Sequence, residues 1–95
     1  MEINKNTENQ NYFCSDDILL CSFLLTQGIK FIETHEDYPR HYIFLLSNSD
    51  KCNELKQLYL NNASAPAREL FANREMLLSE IKNKGRNGNS YGTFR

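Results

Sequence analysis

The chain predicts an α+β fold: a three-stranded sheet in the order β-α-β-β-α-α, with helices chiefly on one face. Three observations carry this. Two β-prone runs, 29–34 and 40–46, flank a short polar stretch of hairpin length. An almost wholly apolar helix-length run precedes them between Asp17 and Gly28. Two runs with helical spacing follow, one after Ser49 and one after Pro66.

Tyr12-Phe13-Cys14 is apolar and β-prone, which suits a brief first strand. Ser15-Asp16-Asp17 then offers short oxygen acceptors for the free N–H groups of a helix start, and carboxylates match the positive end of its dipole. Ile18, Leu19, Leu20, Cys21, Phe23, Leu24 and Leu25 leave that helix almost no polar side, so it should be the most buried element, ending at Gly28 as a C′ residue. In the hairpin, Ile29 and Phe31 share one face, and 35–39 is the expected polar turn. Tyr42, Phe44 and Leu46 share one face of the second run, while Ile43 and Leu45 take the other. Apolar residues on both faces mark this run as the central strand.

Ser47-Asn48-Ser49-Asp50 restarts helix, and Cys52, Leu55, Leu58 and Tyr59 form one narrow apolar stripe. Ser64 and Pro66 suit the start of a third helix, with Ala67, Leu70, Phe71, Leu77, Leu78 and Ile81 on one side and Arg74 among them. Lys82 and Lys84 fit its C-terminal end, and Gly85 is the expected stop. The organisation that results is a disordered lead-in over 1–11, one domain over 12–84 and a flexible basic tail over 85–95. A sheet this small leaves its second face partly apolar and open to a partner.

The charge is divided. Residues 1–81 hold twelve acidic and seven basic side chains, whereas 82–95 hold four basic ones and no acid. No apolar run reaches membrane-spanning length, and the polar opening residues lack a signal-peptide core, so the expected setting is a reducing cytoplasm without membrane contact. Cys14, Cys21 and Cys52 are then free thiols. Their spacings of seven and thirty-one positions do not resemble paired zinc ligands, and Cys21 and Cys52 fall on apolar stripes, so no metal or other cofactor is expected.

Asp16 and Asp17 are adjacent, and Glu33, Glu36 and Asp37 cluster near His35 and His41, a composition suited to proton transfer, but helix capping by the first two and an exposed hairpin for the others account for them better. No nucleophile with an oriented base and no phosphate loop accompanies them, so the chain is not expected to be an enzyme. Arg74 on an apolar stripe needs a partner: a structural ion pair, with Asp16 or Asp17 as candidates, or a ligand anion. Lys82, Lys84, Arg86 and Arg95 together with Tyr91 and Phe94 combine phosphate contacts with stacking surfaces, against the alternative of a solvated terminus that balances an acidic body.

The run Tyr12-Phe13-Cys14-Ser15-Asp16-Asp17 closed by Gly28, the aromatic strand Tyr42-Ile43-Phe44-Leu45, and Arg68-Glu69-Leu70-Phe71-Ala72-Asn73 followed by Arg74 and Leu77 form a combined pattern. Over about residues 12–81 it resembles a small phage, plasmid and bacterial domain family of unknown function. The resemblance implies the fold and a phage or mobile-element setting, and no activity. The functional expectation is a small non-enzymatic accessory protein in the host cytoplasm. It binds nucleic acid or a nucleoprotein complex through the basic arm and the open sheet face. The alternative is a protein–protein module, either a homodimer or an inhibitor of a host enzyme, with no nucleic-acid contact.

Overall fold

The computed structural model describes residues 11–93, with side chains as far as Gly85. Strand β1 (Tyr12–Ser15) leads to helix α1 (Ile18–Thr26), strands β2 (Phe31–Tyr38) and β3 (His41–Ser47), and helices α2 (Ser49–Leu60) and α3 (Ala67–Thr93). β3 lies between β1 and β2 and pairs antiparallel with both. This is the α+β order that the sequence predicts, with the doubly apolar strand in the middle. The proposed lead-in over 1–11 falls outside the described residues except for Asn11, which belongs to the fold. Its carbonyl accepts the Ser49 N–H at 3.1 Å, and its side-chain oxygen accepts from the Ser49 hydroxyl.

Helix α1 is closed at both ends by the residues expected to close it. Asp17 Oδ1 accepts the N–H groups of Leu19 and Leu20, each at 3.1 Å. At the other end Gly28 takes φ 101°, a region that residues with a Cβ rarely enter. That conformation lets the Gly28 N–H reach Leu25 O at 3.0 Å and the Ile29 N–H reach Leu24 O at 3.1 Å, the paired bonds of a Schellman motif. Between the caps Leu20, Cys21, Ser22, Phe23 and Leu24 are all buried, so protein covers nearly every side of the helix, with Leu19 left 50% exposed. Ser22 satisfies its hydroxyl by donating to Ile18 O at 2.7 Å. Ile29 just after the helix, Phe44 and Leu46 of β3, Cys52 and Leu55 of α2, and Leu77 of α3 complete the core.

The hairpin departs from its expected form. The turn is the two-residue Pro39-Arg40 rather than 35–39, so β2 runs on to Tyr38, which pairs with His41. Proline holds φ near about −65°, and Arg40 follows at φ 67°; these values match a type II turn. β2 also carries two register shifts, between Phe31 and Glu33 and between Glu36 and Tyr38. Unbroken alternation from Phe31 would aim Glu33 and His35 at the helices. The first shift turns Thr34 inward instead, opposite Phe44, where it is buried and its hydroxyl donates to Glu80 Oε1 at 3.4 Å.

Helix α3 does not stop at Gly85 but continues to Thr93, so the tail expected from residue 85 begins as helix. Glycine in a helix interior costs about 1 kcal/mol against alanine yet forbids nothing, and Gly85 takes no positive φ. It sits beside β3: a Cβ built there would lie 3.6 Å from the Tyr42 hydroxyl oxygen. The apolar side of α3 is narrower than predicted. Leu77 is buried, Leu70, Met76 and Ile81 pack partly against the core, and Phe71 is 63% exposed. The helix begins just after Pro66, whose carbonyl accepts the Leu70 N–H at 3.0 Å.

Two glycine replacements should therefore have opposite signs. Gly28→Ala forces a Cβ into the left-handed region and is expected to destabilise the fold by about 1–2 kcal/mol. Gly85→Ala meets only an ordinary contact and is expected to stabilise it by up to about 1 kcal/mol. Urea unfolding of the two variants checks both.

Candidate functional site

The strand pairing sorts residues onto two faces. Phe13, Phe44 and Leu46 face the helices. On the opposite face Cys14 and Glu33 flank Leu45, and His35 lies beside Ile43. Cys14 is exposed, and Ile43 and Leu45 are only partly buried although they lie on the central strand. Tyr12 and the bulged Ile32 are 40% and 42% exposed. The helices that cover the other face leave this one open among the described residues. None of the three strands contains Lys or Arg, and their charged residues are Glu33, Glu36 and Asp37; Asp16 lies just beyond β1, and two exposed cations flank the sheet, Lys30 directly before β2, whose carbonyl accepts the Ser47 N–H at 3.0 Å, and Arg40 in the hairpin turn.

His41 joins one edge of this face to the other. Its Nε2 lies 3.0 Å from Asp16 Oδ2, just beyond β1, and its Nδ1 lies 3.5 Å from Asp37 Oδ2 on β2. The second approach is too long to be a hydrogen bond, and Nδ1 is buried without a partner. The ring stacks on Tyr38 with centroids 4.5 Å apart and planes 9° apart. Of the candidate acid–base residues, the structure thus brings Asp16 and Asp37 to His41, while Asp17 caps α1. His35 and Glu33 stand apart on the sheet, and Glu36 accepts the Arg40 N–H at 3.1 Å.

Arg74 is paired at the surface rather than across the fold. Its guanidinium lies 3.2 Å from Glu75 Oε2, and its side chain is 39% exposed. The expected partners are engaged elsewhere, Asp17 in the α1 cap and Asp16 with His41. A stripe that curves away from the core leaves Arg74 half in water, so no buried charge has to be matched. Lys82 and Lys84 are exposed on α3. Positions 82 and 86 share one side of that helix and position 84 takes the other, so Lys82 and Arg86 are four apart in register and Lys84 is not with them. Tyr91 falls within α3, the side chains of Arg86 and Tyr91 are not among those described, and Phe94 and Arg95 lie outside the described residues.

A pocket of about 190 Å³ opens between α1, α2 and the start of α3, walled by Leu19, Phe23, Tyr59, Asn62, Ala63, Ala65 and Leu70. Nothing in the apolar periodicity marks it. The signal available was the run Asn61-Asn62-Ala63-Ser64-Ala65-Pro66-Ala67, whose small side chains cannot fill the space beside two aromatic residues. The Phe23 and Tyr59 rings meet at 5.6 Å and 47°.

Among the described residues no group of three or more His, Cys, Asp and Glu side chains is placed to hold a metal ion. Nor is any described helix long and apolar enough to cross a membrane. Compared with protein-family models, curated proteins and solved structures, the chain matches none of them.

The buried thiols are held protonated. Burial pushes Cys21 up to about 12, with the Asp17 carboxylate adding to the rise, and burial alone pushes Cys52 up to about 11. Cys14 is exposed. A folded-state pKa above the unfolded one means that the native state keeps its proton longer, so the associated stability is complete below about pH 8.5 and is lost as pH climbs through the folded values. A thiol reagent at pH 8 is accordingly expected to modify Cys14 alone in the native protein and all three thiols in denaturant. Urea midpoints should fall between about pH 9 and 12, less steeply in Cys21→Ala.

Proposed function

We propose that the chain is a small non-enzymatic interaction module that takes a protein partner on its open sheet face. The observation that carries this is the row of Ile43 and Leu45 on the central strand with Cys14 beside Leu45 on β1, on the side of the sheet away from the helices. The partner's chemistry follows from the charges. Asp16, Glu33, Glu36 and Asp37 outnumber the flanking Lys30 and Arg40, so the rim is acidic on balance and the complementary surface is apolar and rimmed by Lys or Arg. A second copy docking face to face would set one acidic rim against another, which disfavours a homodimer and favours a different protein, such as a host enzyme. The phage or mobile-element setting rests on the resemblance over residues 12–81.

An amphipathic Leu/Lys helical peptide should shift the amide resonances of Cys14, Ile43 and Leu45, and a Leu/Glu counterpart should not. Leu45→Lys should weaken the Leu/Lys peptide by roughly ten-fold. Equal binding of the two peptides, or shifts elsewhere on the molecule, would overturn the reading.

One observation favours a second reading, nucleic-acid binding. Helix α3 carries Lys82, Lys84 and Arg86 beyond the acidic body on one continuous rod, with no acid after Glu80. Each phosphate contact adds close to one unit of salt slope, about 0.7–0.9, so the full chain should bind single-stranded DNA at low salt with a slope of about three, and a chain ending at Lys84 with a smaller one. No binding at low salt, or equal affinity of the two chains, rejects it.

A further inference from the structure

We infer that His41 is a proton-operated link across the sheet. As an imidazolium it ties both Asp16 and Asp37 to the central strand, one with each ring nitrogen. As a neutral imidazole it keeps Asp16 and releases Asp37.

Donor counting carries the inference. An ionised carboxylate can only accept. Asp16 Oδ2 lies 3.0 Å from Nε2, so Nε2 carries a proton in either state of the ring. In a neutral ring the other nitrogen bears only a lone pair. That nitrogen, Nδ1, is buried without a hydrogen-bond partner and faces Asp37 Oδ2 at 3.5 Å. Lone pair then faces anion, and neither can donate. A second proton on the ring turns this opposition into a charge-assisted hydrogen bond, once the carboxylate closes to about 2.8 Å.

The neighbouring elements are built for the charged form. On β2, Glu36 pairs with Tyr42 and Tyr38 with His41, so Asp37 is the extra residue between them, and a bulge of this kind re-aims a side chain. Tyr38 lies flat against the His41 ring, 4.5 Å away between centroids and 9° between planes, and offers a π face to a positive ring. Before α1 the facing group is Asp16. Arg40 is next to His41 in the chain; its N–H donates to Glu36 Oε2, and among the described residues its side chain pairs with neither Asp16 nor Asp37. His35 and Glu33 lie farther along the sheet, opposite Ile43 and Leu45. Loss of the proton therefore frees the turn end of β2 from its tie to the β1 side, and it bares the Asp37 carboxylate. The link belongs to the chain alone and needs no partner.

The test is a magnetic resonance titration of the full chain from about pH 5.5 to about pH 8, a range that spans imidazole and lies above ordinary carboxylates. Nuclear Overhauser contacts from the His41 ring to the β-protons of Asp16 and Asp37 are the readout. Both contacts should be present at the acid end. As the ring loses its proton the Asp37 contact should be lost and the Asp16 contact kept, with the Asp37 and Tyr38 amide resonances moving on the same curve. Asp37→Asn supplies a side-chain N–H that can donate to the bare Nδ1, so its contact should persist at both ends. His41→Phe keeps a ring over Tyr38 and should hold the Asp37 and Tyr38 amides still throughout. The inference fails if the wild-type Asp37 contact survives at pH 8, if the two amides do not follow the ring, if Asp37→Asn loses its contact as the wild type does, or if His41→Phe moves like the wild type.

Discussion

Helix α1 has to lose water on nearly every side, and the rest of the molecule is arranged around that demand. A nine-residue helix is too short to persist alone. It exists because β3 supplies Phe44 and Leu46, α2 supplies Cys52 and Leu55, and α3 supplies Leu77. Each fully buried Leu or Phe contributes roughly 1.5–3 kcal/mol, so Leu20, Phe23 and Leu24 hold three elements that barely touch one another. The caps at Asp17 and Gly28 then fix where the wedge begins and ends, and with it the heights at which the other helices can meet it.

Apolar packing alone would let α3 slide along α1. Polar contacts set the register. Asn73 Nδ2 donates to Thr26 Oγ1 at 2.9 Å, and that hydroxyl donates in turn to Ser22 O at 2.8 Å. Farther along α3, Glu80 accepts from Thr34. These two points, seven residues apart on one helix, tie α3 both to α1 and to the sheet. Their spacing also determines where α3 starts relative to α1, and so how far Leu70 stands from Leu19. The pocket is a consequence of that register, left over where small loop residues cannot close the gap.

Local chemistry was readable where it had one solution. Asp17 before an apolar run and Gly28 after it have few other uses, and both cap α1. The two-sided apolar pattern of β3 likewise admits only a central position. What could not be read depended on partners distant in the chain. The shift at Ile32, which turns Thr34 inward, exists because Glu80 and Phe44 are there to receive it. Gly85 looked like a stop because glycine so often is one; its neighbour Tyr42 comes from another element. Phe71 fits the stripe by period, yet α3 runs past the edge of what α1 can cover. For the site, the apolar side of the sheet was legible from alternation, whereas the pairing of His41 with Asp16 required knowing which strands are neighbours.

The irregularity of β2 has a consequence for the molecule among its own copies. β2 is an outer strand, and an outer strand with regular spacing presents a ladder of free N–H and C=O groups to any passing chain. Two interruptions within eight residues break that ladder, and Glu33, Glu36 and Asp37 charge what remains. Irregularity and like charge are the means by which sheet borders resist growing into fibres. The β2 border is therefore a poor template for polymerisation, even though the apolar sheet surface beside it is uncovered.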